Sequence, residues 1–249
     1  MKQQSRYVFG ATLASAAFAG MIQNAGAATI AAFTFETSAA GLATTNVTAP
    51  AIGPLLAESG VGSAFGSHAA SNTVYSSPAG NGSPRSFSSN NWAPGDYYQF
   101  SVPTTTFTDL IVSFDQFSSS TGPKNFTLQY STNGTSYSSF TNYSVITSFT
   151  QLATGTATGT QTISSFNSSN SFSQFNYLFN LSAIDALENN PLASFRLVNA
   201  ESASSAAAGT DRVDNFVLSG TPGGVVPEPA AMGAMAVAAV AAMRRRRTM

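Results

Sequence analysis

The chain of 249 residues contains no cysteine, and this absence excludes several kinds of chemistry. Without thiols there is no disulfide framework, no cysteine nucleophile, no thiolate-bound metal and no iron–sulfur cluster. Histidine is almost missing too, because His68 is the only one in the chain. Sites that need several histidines, such as His-rich metal centres or catalytic dyads of two histidines, are therefore excluded.

Charged residues are also scarce, at 8% of the chain, and they are unevenly distributed. The formal net charge is −1, but residues 28–229 hold four basic and eleven acidic residues, a net charge of −7. The basic residues of this stretch are Arg85, Lys124, Arg196 and Arg212. Because affinity for nucleic acid comes largely from Lys and Arg at the phosphates, nucleic acid is not expected as a partner. The 36 serines and 27 threonines instead make the chain rich in hydroxyl groups.

The N-terminal end has the pattern of a secretory signal peptide. Lys2 and Arg6 form a positive start, and an uncharged, largely apolar stretch follows. Ala25 and Ala27 then place small residues at the positions that a signal peptidase requires before its cut. We predict a signal peptide over residues 1–27 that is cleaved after Ala27. An N-terminal membrane anchor that stays uncut is the alternative.

The C-terminal end is a second segment of unusual composition. Residues 221–229 form a turn-rich linker that ends in Pro227, Glu228 and Pro229. Residues 230–243 carry no charged or polar side chain. The chain then continues with Arg244, Arg245, Arg246 and Arg247.

The length of the apolar stretch decides what it can do in a membrane. As a helix it spans about 21 Å, which is less than the ~30 Å hydrocarbon core. The arginines would remain on the cytoplasmic side. We therefore predict that residues 230–249 form a short transmembrane helix with an Arg-rich cytoplasmic tail, which holds the precursor in the membrane only transiently.

Together, Pro227-Glu228-Pro229, the apolar stretch and the terminal arginines resemble the PEP-CTERM sorting signal of Gram-negative bacteria, also described as the ice-binding protein C-terminal domain. The resemblance implies an exosortase-type enzyme as a partner, which cuts near the motif and releases the protein from the inner membrane. This stretch is rich in Ala and Met rather than Leu, and it is short for the family. The similarity covers about a tenth of the chain and implies nothing about the rest.

Between these ends, short runs of alternating apolar residues are separated by turn residues, which is typical of an all-β protein. In one run, Tyr98, Phe100 and Val102 alternate with polar residues. The pair Asn133-Gly134 follows another run, and an Asn-Gly pair predicts a hairpin because both residues tolerate positive φ. The pattern predicts about eight strands and no long helix.

The body of the chain also resembles a known group of domains. The segments concerned are residues 97–102, 126–134, 179–191 and 212–220. They are similar to the jelly-roll domains of bacterial PEP-CTERM surface proteins, a fold shared with many carbohydrate-binding modules. We therefore predict one jelly-roll-like antiparallel β-sandwich over residues 28–220. Residues 37–92 match least well and are expected to hold Gly-, Ser- and Pro-rich loops.

Glu36 and Asp214 are candidate metal ligands. Glu36 ends the first predicted strand and Asp214 lies inside the last, and the terminal strands of a jelly roll lie close together. Calcium binds six to eight oxygen atoms, including carbonyl groups that loops supply. The resemblance adds that related modules often hold a structural calcium near these strands. The alternative is a surface glutamate and an aspartate that begins a bulge with Asn215.

Several aromatic side chains have both an apolar ring and a polar tip. They are Trp92, Tyr97, Tyr98, Tyr137 and Tyr143. Sugars have apolar faces that stack on such rings, so Trp92 and Tyr97 are candidates for ligand binding. The alternative is that these aromatic residues simply belong to the core.

Catalytic sites are not apparent. His68 has no acidic neighbour in sequence and no Gly-x-Ser-x-Gly elbow occurs, so we expect a solvated loop histidine. The acids of the body offer no pair that spacing alone would select for glycoside hydrolysis. Alternating threonines from Thr154 to Thr162 are expected to form an exposed edge strand or a loop rather than an ice-binding face.

These observations favour a non-enzymatic exported protein that is sorted to the cell surface or extracellular matrix of a Gram-negative bacterium. Its expected associates are an exosortase-type enzyme, the inner membrane as a transient location, and exopolysaccharide or biofilm. The alternative is a carbohydrate-binding, lectin-like module on the same fold. A third class, a glycan-active hydrolase, has no recognisable site.

Overall fold

The structure is a computed structural model that describes residues 26–153 and 158–223. Most of the predicted signal peptide, including Ala25, lies outside these residues. The sorting motif Pro227-Glu228-Pro229 and the arginines 244–247 also lie outside them. Within the described ranges, no helix has the length and apolar character needed to cross a membrane.

The described residues form sixteen β-strands and three short 3₁₀ turns. The strands are β1 (Ala28–Phe33), β2 (Val47–Thr48), β3 (Ala51–Leu56), β4 (Ser59–Gly60), β5 (Ser63–Ser67), β6 (Val74–Ser76), β7 (Phe87–Ser89), β8 (Tyr97–Ser101), β9 (Phe107–Ser118), β10 (Asn125–Ser131), β11 (Ser138–Ser144), β12 (Phe149–Leu152), β13 (Thr160–Ile163), β14 (Asn176–Asn180), β15 (Ser194–Asn199) and β16 (Asp211–Pro222). The 3₁₀ turns are Ala40–Ala43, Ser173–Phe175 and Asp185–Leu187.

All strand pairs are antiparallel, and most strands belong to two sheets. The eight-stranded sheet has the order β14-β9-β16-β7-β6-β2, with β1 beside β16 and β4 beside β1. The six-stranded sheet has the order β11-β10-β15-β8-β5-β3. Strands β12 and β13 form a separate hairpin. From β7 to β10 the chain changes sheet at every step, so neighbours in sequence lie on opposite sides of the core.

The two sheets pack face to face through phenylalanine rings, which makes the structure a β-sandwich. Phe33 of β1 and Phe216 of β16 lie in the eight-stranded sheet, and both contact Phe100 of β8 in the six-stranded sheet. All three side chains are fully buried. The alternation in β8 follows the prediction, because Tyr98 and Phe100 point inward while their neighbours face out.

The predicted hairpin after β10 is present, with Gly134 at φ 74° between β10 and β11.

Residues 37–92 differ from the prediction of loops, because they contain six short strands, β2 to β7. Strands of two to six residues are too short to show a clear alternation, and Gly or Ser residues weaken it further in β4, β5 and β7, so the pattern does not detect them. The threonine run also lies partly outside the described residues, but Thr160 and Thr162 are exposed on β13.

Candidate functional site

The outer surface of the six-stranded sheet carries aromatic and polar side chains on neighbouring strands. Successive residues of a strand point to opposite faces. Because Tyr98 is buried, Tyr97 and Gln99 lie on the outer face and are partly exposed. Gln99 is paired with Phe65 of β5 on one side and with Arg196 of β15 on the other.

Arg196 is held between two tyrosine rings. Its Cζ lies 3.9 Å from the ring centroid of Tyr97 and 3.6 Å from that of Tyr137. Its Nε donates a hydrogen bond of 2.9 Å to Gln99 Oε1. The distances from Cζ to the two ring centroids are well within the range of cation–π attraction. We call the surface formed by Phe65, Tyr97, Gln99, Tyr137 and Arg196 the tyrosine–arginine face.

Serine hydroxyl groups of the same strands hold the side chains of this face in place through hydrogen bonds. The Tyr137 hydroxyl donates to Ser194 Oγ at 3.0 Å, and Gln99 Nε2 donates to Ser101 Oγ at 3.2 Å. Ser101 Oγ and Ser194 Oγ are themselves 3.1 Å apart. Amide, hydroxyl and guanidinium groups of the face are therefore held in defined positions before any ligand arrives.

A groove of about 350 Å³ lies beside Tyr97, between β3 and β8. Ile52 and Phe65 give it an apolar lining, and Tyr97 and Gln99 give it polar tips. A concave site of mostly apolar lining with a few fixed polar groups is the usual form of a small-molecule site. The face thus combines a groove, aromatic rings and hydrogen-bonding groups.

The structure separates the two aromatic residues that the sequence singled out. Tyr97 lies on the tyrosine–arginine face, so it stays a candidate. Trp92 is fully buried, with Nε1 donating to Ser89 O at 3.0 Å and the ring against His68 at a centroid distance of 4.3 Å. A buried ring cannot stack on a sugar, so the ligand-binding prediction for Trp92 is wrong and its core alternative is correct.

Glu36 and Asp214 each accept hydrogen bonds from the loop between β6 and β7. Glu36 Oε1 accepts the backbone N–H of Arg85 at 3.0 Å. Asp214 Oδ2 accepts the backbone N–H of Asn81 at 2.8 Å and the hydroxyl of Ser83 at 3.0 Å. Asp214 is fully buried, and the register of β16 shifts directly after it, where Asn215 has φ 49°. The bulge that the sequence offered as an alternative is therefore present.

Several oxygen atoms lie close to Asp214. Ser83 Oγ is within hydrogen-bond distance of both Asp214 Oδ2, at 3.0 Å, and the carbonyl oxygen of Arg85, at 2.9 Å. The Gly80 backbone packs against all three atoms, because a Cβ atom there would overlap with them. Burial raises the pKa of the Asp214 carboxyl to about 7, although hydrogen bonds from Asn81, Asn215 and Ser83 oppose this. Among the described residues, no three His, Cys, Asp or Glu side chains form a cluster. A calcium ion would thus rely on carbonyl and hydroxyl oxygens as well as Asp214 and Glu36.

His68 is buried, so the expectation of a solvated loop histidine is wrong. Its Nε2 lies 3.0 Å from Ser89 Oγ, and its Nδ1 lies 3.0 Å from Asp96 Oδ2 without hydrogen-bond geometry. This order of groups resembles that of a Ser-His-Asp triad. However, the Ser89 side chain is 1% exposed and its Oγ is 2.9 Å from the Tyr98 hydroxyl, inside the core. The arrangement gives a substrate no access to Ser89.

Sequence reasoning missed Arg196, Gln99 and the partnership with Tyr137. The only local signal is that Arg196 interrupts the apolar residues of the run 195–198 at an outward position. Its two tyrosine neighbours are 99 and 59 residues away in sequence. Strand register alone brings them together.

Comparison of the chain with known protein families and with characterised proteins finds no match. Among solved structures, it is similar to the xylan-binding domain from CBM 22, with a TM-score of 0.34 and 9% identity over 62% of this chain and 85% of that chain. It is also similar to a CBM61 structure in complex with β-1,4-galactotriose, with a TM-score of 0.30 and 8% identity over 63% of this chain and 86% of that chain. Both of these structures are carbohydrate-binding modules.

Proposed function

We propose that residues 28–220 act as a carbohydrate-binding module without catalytic activity and that sugars bind at the tyrosine–arginine face. One observation carries this proposal: Arg196 is stacked between Tyr97 and Tyr137 beside an open groove. The same face holds no acidic side chain that would act on a glycosidic bond.

The chemistry of the face matches that of a sugar. The apolar face of a pyranose packs on an aromatic ring, and its hydroxyl groups need hydrogen-bond partners at the rim. Tyr97 and Phe65 supply rings, while Gln99 and Arg196 supply an amide and a guanidinium. Since these side chains are already held by mutual contacts, little conformational entropy is lost on binding.

The test is binding of the full-length chain to a panel of soluble polysaccharides, measured by retardation in affinity gel electrophoresis. Tyr97→Ala is expected to weaken binding by about tenfold or more, equivalent to ~1.4 kcal/mol. Leu178→Ala, whose side chain is 64% exposed on the eight-stranded sheet, is the matched control and should bind like the wild type. Equal retardation of the two variants would contradict the proposal, as would release of reducing sugar by the wild type.

We further propose that the sandwich is a jelly roll carried by an exported protein. On this proposal the precursor is held in the inner membrane, and an exosortase-type enzyme processes it at Pro227-Glu228-Pro229. The product then reaches the cell surface or matrix together with exopolysaccharide. The change of sheet at each step from β7 to β10 supports the jelly roll, and the order of motif, apolar stretch and arginines supports the sorting route.

A structural calcium is proposed at the loop that Asp214 and Glu36 share. Asp214, Ser83, the carbonyl of Arg85 and Glu36 would hold it. The ion would supply positive charge to a buried carboxylate and would tie the first and last strands to the loop.

A further inference from the structure

The outer face of the eight-stranded sheet carries a second arginine in an unusual environment. Arg212 lies on β16 beside Phe117 of β9, and its Cζ is 5.8 Å from the Phe117 ring centroid. Phe117 packs with Phe166 and Phe175 in a small apolar cluster separate from the main core. Arg212 is therefore on the opposite side of the sandwich from the tyrosine–arginine face.

The Arg212 guanidinium lacks the partners that a half-buried charge normally has. Nη1 donates to Ser165 Oγ at 3.2 Å, but Nε is buried and has no hydrogen-bond partner in the described part of the chain. Among those residues, no carboxylate oxygen lies within ion-pair distance of the Arg212 guanidinium. Burial lowers the pKa of Arg212, which reflects the cost of removing its charge from water.

The neighbouring acid, Asp211, forms no ion pair with Arg212, although its charge partly opposes the lowering of the Arg212 pKa. Asp211 is fully buried among other groups: its Oδ1 accepts from Gln116 Nε2 at 2.9 Å and its Oδ2 from Ser118 Oγ at 2.7 Å. Successive residues of a strand point to opposite faces, so Asp211 faces the core while Arg212 faces outward. The Nε donor is thus enclosed by protein and unpaired among the described residues, which is rare for a buried donor.

Arg212 borders a cavity of about 380 Å³, which we call the Arg212 cavity. Seven of its nine lining residues carry a hydroxyl group, among them Ser148, Thr162, Ser164 and Ser165, and none is acidic. The volume far exceeds the ~30 Å³ that one water occupies in the liquid and lies within the usual range of ligand pockets. The cavity thus combines one cation with many hydroxyl groups.

This composition selects one class of ligand. A single guanidinium suits a singly charged carboxylate, which accepts hydrogen bonds from Arg at two oxygens. The serine and threonine hydroxyls suit a ligand that itself carries several hydroxyls. We propose that the Arg212 cavity binds a uronic acid residue, with the carboxylate on the guanidinium and the sugar hydroxyls on the Ser and Thr side chains.

The proposal is tested by NMR titration of the full-length chain with methyl glucuronide and, in parallel, with methyl glucoside, which lacks only the carboxylate. The Nε–H signal of Arg212 is expected to shift with the glucuronide, which should bind at least about tenfold more tightly than the glucoside. The Nε–H signal of Arg196 reports the tyrosine–arginine face separately, so the two proposals can fail independently. An unchanged Arg212 signal would overturn the uronate site.

Variants complete the test. In Arg212→Gln the arginine Nε–H is absent, so binding is followed through the backbone amide signals of Ser164 and Ser165, which line the cavity. Their shifts with the glucuronide should be lost in Arg212→Gln, whereas Lys124→Gln, which removes a positive charge at an exposed position, should keep them. If Arg212→Gln does not fold, Ser164→Trp is used instead, because Ser164 is exposed and an indole there would fill the cavity. Retained binding in Ser164→Trp would contradict the proposal. If inorganic sulfate bound as tightly as the glucuronide, the uronate proposal would be overturned, because the cavity would then be a site for simple oxyanions.

Discussion

Phe100 and Phe216 stack across the two sheets with a centroid distance of 3.6 Å and an angle of 3° between their planes. Phe100 belongs to β8 of the six-stranded sheet and Phe216 to β16 of the eight-stranded sheet. Phe216 also contacts Phe33 and Phe114. This ring therefore joins the two layers at the centre of the core.

Phe216→Ala is expected to lower the free energy of unfolding by about 3–5 kcal/mol, because a large buried ring is lost and a cavity remains. Leu178→Ala, at an exposed position of β14, should change it by no more than about 0.5 kcal/mol. Urea unfolding followed by circular dichroism measures both values. Similar small effects of the two substitutions would contradict the packing described for Phe216.

Glu58 is expected to stabilise the protein in a pH-dependent way. Its carboxylate accepts hydrogen bonds from Thr34, Thr37 and Ser38, the shortest at 2.7 Å from Ser38 Oγ. Partial burial would raise the pKa of Glu58, but these hydrogen bonds outweigh it and lower the pKa. The stabilisation is thus present above the unfolded pKa of about 4.3 and is lost as the pH falls through the lower folded pKa.

Glu58→Gln should therefore cost about 1–3 kcal/mol at neutral pH, and the difference from the wild type should shrink in acid. Thermal melts of the variant and the wild type over a pH series measure this difference in stability. Glu188→Gln is the control, because Glu188 accepts a single backbone N–H, that of Asp109. A pH-independent difference between Glu58→Gln and the wild type would contradict the role assigned to the carboxylate.

Asp214 is expected to have the opposite pH dependence. Its folded pKa of about 7 is above the unfolded value, so the folded state binds the proton more tightly. Without metal, the stabilisation that the protonated Asp214 carboxyl gives to the folded state is fully present below about pH 4. It is lost as the pH rises through about 7. A calcium ion at this carboxylate would compensate its charge and should raise the melting temperature most above pH 7.

Melting scans with calcium and with chelator, at acidic and at mildly alkaline pH, test this prediction. Asp214→Asn should lose the calcium response, and Asp185→Asn, at an exposed position, should keep it. Identical melting temperatures with calcium and chelator at alkaline pH would exclude the calcium site while leaving the sugar-binding face untouched.

Glu228→Ala is expected to trap unprocessed precursor in the membrane. Proline has no N–H to donate and disfavours helix before it, so the motif is expected to present Glu228 on a stiff segment at the membrane surface. Cell fractionation with mass spectrometry should find wild-type protein that begins near Ala28 and lacks Arg244–Arg247. The melting temperature should not change, and Asp185→Ala should be processed normally. A wild-type distribution of Glu228→Ala would mean that the motif is only a linker.

The sequence alone predicts the class of fold and several of its elements. Alternation in β8 assigns Tyr98 and Phe100 to the core, and Asn133-Gly134 marks the turn before β11, because both signals are local. The short strands β2 to β7 escape detection, since runs of two to six residues show no clear alternation and pairing with other strands makes them β-structure.

Which residues meet on a surface was decided by tertiary structure. Trp92 and Tyr97 look alike in sequence as aromatic side chains with a polar tip, but packing buries the first and strand register exposes the second. Register also places Arg196 between Tyr97 and Tyr137, and it places Arg212 beside Phe117 at the edge of a hydroxyl-lined cavity. The physical reason is that local patterns determine which face of a strand is apolar, whereas the partners of an outward side chain depend on which distant strand lies beside it.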